Sequence, residues 1–214
     1  VFVINSGSSS LKYQLIQMPD ANVVCSGLID RIGLEGSTIE HKTYLGGVEK
    51  IIKKALPIAN HEVGLKETAL LLTDDSIGVI KDPNEIEIVG HRVVHGGEEF
   101  SSTMIITEEV KAKIKALFSL APLHNPPNYL GIEVAEKIFA HAKQVAVFDT
   151  AFQQTMPPVA YRIAIPNKFY LENKIRNYGF HGTSHKYVSE HASEYLKKKD
   201  ARIITIHLGN GCSM

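Results

Sequence analysis

The sequence predicts an α/β fold with a mixed β-sheet. Strand-like runs dominate residues 1–44, and from residue 62 onward helical patterns alternate with short apolar runs. Strands first, then alternating β and α patterns, are typical of this class. A long-range echo adds a third observation. VFVINSGSSS and IITIHLGNGCS each place an apolar run before a Gly-rich polar turn, which is the pattern of two related domains.

The predicted strands begin with a hairpin over residues 1–18. Val1–Asn5 is a β-rich run, and Leu11–Met18 alternates apolar and polar residues as a half-buried strand does. The residues between them are turn formers. The remaining predicted strands are Val23–Ile29, Ser37–Tyr44, Ile86–Val94, Gln144–Asp149 and Arg202–His207.

Four segments have helical patterns. Glu62–Leu72 is amphipathic, and Thr107 is the predicted N-cap of a helix to about Leu120, because two glutamates follow it. The stretch APLHNPPN (121–128) is expected to end that helix, and Tyr129–Ala142 forms the next one. Thr183 or Ser184 is the predicted cap of a last helix to about Lys198, after an irregular, proline-containing segment at 151–180.

Composition excludes several classes of protein. The chain has 214 residues, 44% of them hydrophobic, and its 23 basic and 23 acidic residues give a formal net charge of zero. Binding to nucleic acid by bulk charge is therefore not expected. No apolar stretch approaches the length of a membrane span. Cys25 and Cys212 form no CxxC pair, which fits a reducing, cytoplasmic location. The chain ends on an apolar run and a Gly-Asn-Gly turn, from which we expect a truncated chain.

The opening stretch INSGSSSLKYQL (4–15) is a candidate phosphate loop. It is not a Walker P-loop, because the Gly-Lys spacing is wrong and a strand pattern follows it. A hairpin tip can still converge backbone N–H groups on an anion, with Ser8, Ser9 and Ser10 as hydroxyl donors and Lys12 as a point charge. Asn5 offers an amide oxygen to a hydrated metal ion. An ordinary exposed hairpin explains the same residues.

Two further stretches bear candidate binding side chains. In GHRVVHGGEEF (90–100), Arg92 follows a strand at the end where ligand sites of α/β proteins collect, and it is suited to a bidentate grip on carboxylate or phosphate. Val94 can supply an apolar wall. A structural salt bridge is the alternative for Arg92. In APLHNPPN, His124 sits in a proline-fixed loop, where it either binds a ligand or bonds to backbone.

Asp149 and His181 are the catalytic candidates. Asp149 ends the apolar run QVAVFD, where a carboxylate can orient a nucleophile or reach Mg²⁺ through water; an N-cap role is the alternative. His181 and His185 lie four residues apart, but a zinc-hydrolase motif needs a glutamate between them. A histidine at such a loop–helix junction can instead donate to a developing phosphoryl charge.

Six stretches together resemble the acetate kinase family. They are INSGSSSLKYQL (4–15), GHRVVHGGEEF (90–100), APLHNPPN (121–128), VFDTAFQQTMP (147–157), YGFHGTSHKYV (178–188) and HLGNGCS (207–213). The resemblance covers the chain end to end, but family members are about twice as long.

The resemblance implies the fold of the acetate and sugar kinase, Hsp70 and actin superfamily. That is an actin-like ATPase fold, ribonuclease H-like, with duplicated α/β domains, mixed sheets flanked by helices, and here a truncated second domain. Residues 1–150 would be the N-terminal domain and 151–214 the start of the nucleotide domain. The implied reaction is reversible phosphoryl transfer between ATP and acetate, giving acetyl phosphate and ADP. It needs Mg²⁺, for which Mn²⁺ can substitute, and a homodimer is expected.

The resemblance also implies roles for single residues. Asn5 resembles the Mg²⁺-site residue, Arg92 the carboxylate-binding arginine, and Asp149 the catalytic carboxylate. We favour a metal role for Asp149, possibly through water, because acetate is already ionised at pH 7 and needs no base. His181 resembles the transition-state stabiliser and His124 a second donor. The remaining implied roles are phosphate binding by Ser8, Ser10, Lys12, His207, Leu208, Gly209, Asn210 and Gly211, and an apolar pocket for the acetate methyl group made by Val94, Leu123 and Phe180.

Several alternatives stay open. Propionate kinase is the closest one, because one methylene is worth only about 1–3 kcal/mol in such a pocket. An actin- or Hsp70-like nucleotide switch is the non-enzymatic alternative, and the substrate-side charges argue against it. A zinc hydrolase and a sugar kinase fit less well. We expect the 214-residue chain alone to be inactive, because the rest of the cleft would lie beyond Met214.

Overall fold

The computed structural model describes residues 1–209 and 211–214, which form two compact units. The first unit comprises Val1–Val93 and Met104–Ala146, and the second comprises Val94–Thr103 and Val147–Met214. The chain therefore enters the second unit briefly at residue 94 and returns to it at residue 147. The domains assigned from the sequence, 1–150 and 151–214, stay a prediction.

An eight-stranded mixed sheet organises the first unit. Its strands are β1 (Phe2–Ser6), β2 (Ser10–Gln17), β3 (Asn22–Asp30), β4 (Thr38–Thr43), β5 (Lys50–Ala55), β6 (Ile88–Val93), β7 (Met104–Ile105) and β8 (Lys143–Phe148), in the order β5-β4-β3-β2-β1-β6-β8-β7. Strands β1 to β5 form an antiparallel meander, and β1 pairs with β6 in parallel. The mixed sheet and the opening hairpin are thus confirmed.

One face of this sheet carries the core. Alternate residues of β1 and β2 point into it, among them Phe2, Ile4, Leu11, Tyr13 and Leu15, all at most 6% exposed. Helices α1 (His61–Leu72) and α3 (Asn125–Ile138) pack against each other, and α3 also contacts β1 and β6. The alternating apolar and polar residues that predicted β2 therefore point in turn into this core and toward the opposite, polar face.

Helix α2 (Glu108–Ala116) begins as predicted. The Thr107 side chain accepts a hydrogen bond of 3.3 Å from the backbone N–H of Val110, which satisfies one of the first-turn donors that have no partner inside the helix. The helix is shorter than expected, because Leu117–Leu120 continue only as turns.

The start of α3 corrects a prediction. We expected the segment 121–128 to be a break and the helix to begin at Tyr129, yet α3 begins at Asn125 with Pro126 and Pro127 in its first turn. The backbone N–H groups of the first turn have no acceptor inside the helix, so a proline there loses no hydrogen bond. Its ring also fixes φ at a helical value. His124 consequently lies directly before a helix rather than within a rigid loop.

The second unit contains short helices and one long one. After a 3₁₀ turn at Phe152–Thr155 come α4 (Pro158–Tyr161), α5 (Lys168–Asn173) and α6 (Gly182–Leu196), followed by the small hairpin of β9 (His207–Leu208) and β10 (Cys212–Ser213). The segment predicted to be irregular thus carries helical turns. The strand predicted at Arg202–His207 is wrong, since β9 starts only at its last residue.

The loop at residues 94–103 is tied to its own unit by side chains. The N–H of Gly96 donates to the Thr150 hydroxyl (2.9 Å), and the Gln154 amide donates to the carbonyl of Gly97 (2.6 Å). Glu98 accepts hydrogen bonds from the Tyr170 hydroxyl (2.7 Å) and from Arg176 (3.1 Å). The loop is therefore held in place by residues that follow it by about fifty to eighty positions.

Candidate active site

Side chains from α1 and α3 hold the tip of the opening hairpin through hydrogen bonds. A bond of 2.8 Å from the Gly7 N–H to the Ser10 carbonyl closes the turn. Behind the tip, His61 Nε2 donates to the Gly7 carbonyl (2.7 Å), and the Asn128 amide donates to the Ser6 carbonyl (2.6 Å). Sequence analysis did not single out these two helix residues, because nothing in a helix pattern reveals a contact with a distant loop.

Three predicted site residues meet on the polar face of the sheet. Asn5 and Lys12 are cross-strand partners, and Asn5 Oδ1 accepts a hydrogen bond of 3.3 Å from Arg92 Nη1. A cavity of about 420 Å³ opens on this face, and its lining includes Val3, Asn5, Lys12, Gln14, Lys42 and Tyr44. The first unit therefore brings the predicted metal amide, phosphate lysine and carboxylate-binding arginine onto one surface.

His124 and Leu123 lie in the first unit, directly before the start of α3. The backbone N–H of His124 donates to the Ala121 carbonyl (3.1 Å), and its carbonyl accepts from the Asn128 N–H (3.1 Å). Leu123 is 76% exposed. Within this unit Leu123 therefore has the exposure of a surface residue, and its place in an apolar pocket stays a prediction.

His91 and His95 are buried for structural reasons. His91 Nε2 lies 2.8 Å from Gln144 Oε1, whose amide nitrogen donates to two backbone carbonyls, so His91 is the donor. Burial lowers the pKa of His91 to about 4. Burial also lowers the pKa of His95 to about 4, and His95 Nδ1 accepts from the Gly97 N–H (3.0 Å). Both rings are therefore neutral at pH 7.

Asp149 directly follows β8, and it contacts the N-terminus of α6. It is 2% exposed, its Oδ1 accepts from the Thr183 hydroxyl (3.2 Å), and its carbonyl accepts from the Gly182 N–H (2.8 Å). A Cβ on Gly182 would stand only 2.2 Å from that carbonyl oxygen, so only glycine permits this approach. The prediction that Thr183 or Ser184 caps the helix is wrong, because α6 begins at Gly182 with His181 as its N-cap residue, and Thr183 and Ser184 lie inside its first turn.

His181 enters α6 in a left-handed conformation, with φ 55° and ψ 29°. A non-glycine residue in this region costs on the order of 1–3 kcal/mol and is held by its surroundings. The His181 ring stacks on His207 with centroids 4.1 Å apart. Its Nδ1 lies 2.8 Å from the Ser213 hydroxyl. Sequence analysis missed Ser213, because a serine in a terminal Gly-rich turn gives no signal of its own.

The remaining predicted residues of the second unit lie in three places. Val94, 7% exposed, starts the loop at 94–103, whereas Phe180, 43% exposed, immediately precedes His181. His207, Leu208, Gly209 and Gly211 form the β9–β10 hairpin, in which the Gly209 N–H donates to the Gly211 carbonyl (2.9 Å). The phosphate role predicted for Asn210 falls outside the described residues.

A comparison with protein families shows to which family the chain belongs. A model described as the acetokinase family matches residues 1–214. The chain belongs to the acetokinase family. The acetate kinase of Flavobacterium johnsoniae is 62% identical over all of this chain and 53% of the relative. The acetate kinase of Thermotoga maritima is 52% identical over the same shares of both proteins. The acetokinase chain thus spans about half the length of the curated relatives it matches.

Solved structures of similar proteins confirm the predicted fold class. The crystal structure of Porphyromonas gingivalis acetate kinase is 45% identical, with a TM-score of 0.89 over 99% of this chain and 53% of that one. A propionate kinase from Francisella tularensis is 40% identical, with a TM-score of 0.90 over 99% and 52%. The acetokinase chain therefore has the actin-like ATPase fold, with a mixed sheet flanked by helices.

Oxygen donors suited to magnesium occur in both units of the acetokinase chain. A buried carboxylate at Asp149 and an amide oxygen at Asn5 are ligands that Mg²⁺ takes when substrate phosphates and water complete its shell. Over residues 1–209 and 211–214, no group of three or more His, Cys, Asp or Glu side chains is placed to hold a metal ion. Each of these two donors fits a Mg²⁺ ion whose remaining ligands are phosphate oxygens and water. Among the helices that these residues form, none has both the length and the apolar character needed to cross a bilayer.

Proposed function

We propose that the whole protein carrying this chain is an acetate kinase, which transfers a phosphoryl group reversibly between ATP and acetate. One observation carries the proposal. At the start of α6, the buried Asp149 carboxylate accepts a hydrogen bond from Thr183, two residues after the left-handed His181, and phosphoryl transfer by positioning and charge stabilisation uses such a carboxylate and such a donor. The reported relatives, three acetate kinases and a propionate kinase, support the same reaction.

The first unit would bind the anionic groups. Arg92 grips the carboxylate of acetate or the phosphoryl of acetyl phosphate, and its bond to Asn5 orients the guanidinium on the polar sheet face. The hairpin tip, with Ser8, Ser10 and the Lys12 ammonium, binds phosphate oxygens. The bracing of this tip by His61 and Asn128 keeps its backbone donors preorganised.

The second unit would stabilise the moving phosphoryl group. His181 donates to its oxygens as charge develops, and His124 of the first unit is a second donor. Asp149 and Asn5 are the residues that would hold Mg²⁺, directly or through water, and the ion would supply positive charge that offsets phosphate charge. No protein base is needed on the acetate side, because acetate is ionised at pH 7. The β9–β10 hairpin contributes to binding the phosphates of ATP.

Propionate is the alternative substrate, and the similarity to a propionate kinase favours keeping it. Val94, Leu123 and Phe180 are the proposed contacts for the methyl group. Because one methylene changes binding by only about 1–3 kcal/mol in an apolar pocket, propionate should be a poorer but measurable substrate. We also propose a cytoplasmic location, with both cysteines free, and a homodimer, on the strength of the family resemblance.

Trapping acetyl phosphate with hydroxylamine tests the proposal on the whole protein with ATP, Mg²⁺ and acetate. Arg92→Ala should lower kcat/KM for acetate by an amount equivalent to about 2–5 kcal/mol. Arg31→Ala is the matched control, since Arg31 lies in the same unit and its side chain bonds only to the nearby Glu35 carbonyl among the contacts described. Equal kcat/KM in the Arg92 variant and the wild type would contradict the proposed role.

A further inference from the structure

Four side chains of the second unit form one continuous hydrogen-bonded series. Thr205 Oγ1 lies 2.7 Å from His185 Nδ1, His185 Nε2 lies 2.8 Å from Ser213 Oγ, and Ser213 Oγ lies 2.8 Å from His181 Nδ1. We call this series the histidine relay. His185 is only 5% exposed, so water has little access to its ring, whereas Thr205, Ser213 and His181 are half-buried.

The hydroxyl of Ser213 stands between two imidazole nitrogens and has one proton to give. Its only other described contact, the Phe180 carbonyl, is distant at 3.5 Å. For neutral rings, the proton therefore goes to one nitrogen, and the other nitrogen must carry its own proton and donate to Ser213. The relay thus has two internally consistent directions, from Thr205 toward His181 or the reverse.

We propose that the relay runs from Thr205 toward His181 and keeps the proton of His181 on Nε2. Thr205 then donates to His185 Nδ1, His185 Nε2–H donates to Ser213, and Ser213 donates to His181 Nδ1. In the reverse direction Nδ1 would carry the proton, and a bare Nε2 would repel phosphoryl oxygens. Ser213, His185 and Thr205 are therefore positioning residues for the proposed reaction, and this consequence rests on the proposed function.

The backbone and the neighbouring rings keep His181 in the orientation that the relay needs. His181 and His185 are four residues apart, and the backbone bond from the His185 N–H to the His181 carbonyl (3.0 Å) joins them in one helical turn. Stacking on His207, whose Nδ1 lies 3.0 Å from the Ser184 hydroxyl, restricts rotation of the His181 ring.

The Cε1–Nε2 edge of the His181 ring faces Gly211 of the predicted phosphate loop. A Cβ built on Gly211 would lie 3.4 Å from Cε1 and 3.7 Å from Nε2 of His181. The Nδ1 edge faces Ser213 instead. The relay therefore acts on the side of the ring opposite to the side where the phosphates of ATP would bind.

Nitrogen-15 solid-state NMR of the whole protein, labelled at histidine, tests the direction of the relay. Spectra are taken at about pH 8.5, well above the ordinary imidazole pKa of about 6.5, and His181→Gln identifies the His181 signals. We expect Nδ1 unprotonated and Nε2 protonated in the wild type, and a mixture of both tautomers in Ser213→Ala. A protonated Nδ1 in the wild type, or unchanged signals in Ser213→Ala, would overturn the proposal.

Kinetics separate positioning from mere folding. Ser213→Ala should lower kcat about tenfold with an unchanged KM for acetate, and Ser213→Thr, which restores a hydroxyl, should recover most of the loss. Ser189→Ala is the control on α6, where the Ser189 hydroxyl donates to the Lys186 carbonyl. Equal losses in the alanine and threonine variants would overturn the relay. If the wild type transfers no phosphoryl group, the proposed function fails, while the NMR result still decides the relay.

Discussion

Helices α2 and α6 begin in opposite ways. The first turn of α2 follows the ordinary rules: Thr107 caps it, and Glu108 and Glu109 complement the positive end of the helix dipole. Helix α6 has Gly-Thr-Ser there instead, and His181 enters it in a left-handed conformation. The carboxylate near this end comes from Asp149, on another segment. A helix start with a purely structural role can be predicted locally, whereas the candidate catalytic start depends on distant residues.

Replacing His181 should have the largest effect on activity. His181→Gln in the whole protein should lower kcat by about 10²–10³-fold, equivalent to about 3–4 kcal/mol, since one preorganised donor to the transition state is removed. Steady-state rates at saturating ATP and acetate measure it. His191→Gln is the control: it changes a ring that packs against Tyr187 farther along α6, and it should retain the wild-type rate. A kcat within threefold of wild type for His181→Gln would contradict a catalytic role for His181 and thus for the start of α6.

Acid should remove the stability that the buried structural histidine His91 contributes. The pKa of His91 is lowered to about 4 in the folded protein, against about 6.5 when unfolded. The unfolded state therefore takes up the proton first, and His91 contributes stability that is complete above about pH 6.5. About 3 kcal/mol of this stability is lost as the pH falls to about 4.

Urea unfolding of wild type and His91→Gln at about pH 7 and about pH 4.5 measures this contribution. The glutamine amide can still donate to Gln144 but does not titrate, so the variant should lose less stability on acidification. An identical loss in both proteins would show that His91 does not titrate as the buried geometry requires.

Adding a methyl group to Gly182 tests the close approach at the start of α6. Gly182→Ala should lower the free energy of unfolding by about 1–3 kcal/mol, because the new Cβ would stand 2.2 Å from the Asp149 carbonyl oxygen. The activity should fall as well, since Asp149 and His181 must shift. Thermal unfolding and kcat are measured together. A more stable, fully active variant, as helix propensity alone would give, would contradict the importance of this contact.

The smallest expected effect belongs to the ordinary helix start. Thr107→Ala should cost about 1 kcal/mol of stability by removing the cap on Val110 and should leave kcat unchanged. Thr107→Ser, which keeps the hydroxyl, serves as the control. A loss of activity in the alanine variant at unchanged stability would mean that α2 also serves the reaction.

Local patterns account for much of the fold. The alternation in Leu11–Met18 and the Thr107 signal led directly to β2 and α2. Strand β5 was missed, because its sequence KIIKKA has five exposed residues among six and little alternation. The helical start at Asn125 was mistaken for a break, since two prolines mark a loop as readily as a first turn.

The candidate site could be predicted only through the set of motifs. Arg92 and Asp149 each have a structural alternative when taken alone, a salt bridge and an N-cap, and only the resemblance favoured the functional role. The supporting contacts were out of reach altogether. His61 at Gly7 and Ser213 at His181 join residues 54 and 32 positions apart, and nothing in one sequence specifies such pairs. Whether the predicted side chains act together stays a prediction.

The loop at residues 94–103 has a consequence for synthesis of the chain. Its partners Thr150, Gln154 and Arg176 are made about fifty to eighty residues later. During synthesis, the loop therefore leaves the ribosome without these partners. It stays without them while residues 104–146 complete the first unit. The opening hairpin can form as soon as its two adjacent strands have emerged, whereas the loop gains its last described side-chain partner only after residue 176 has been made.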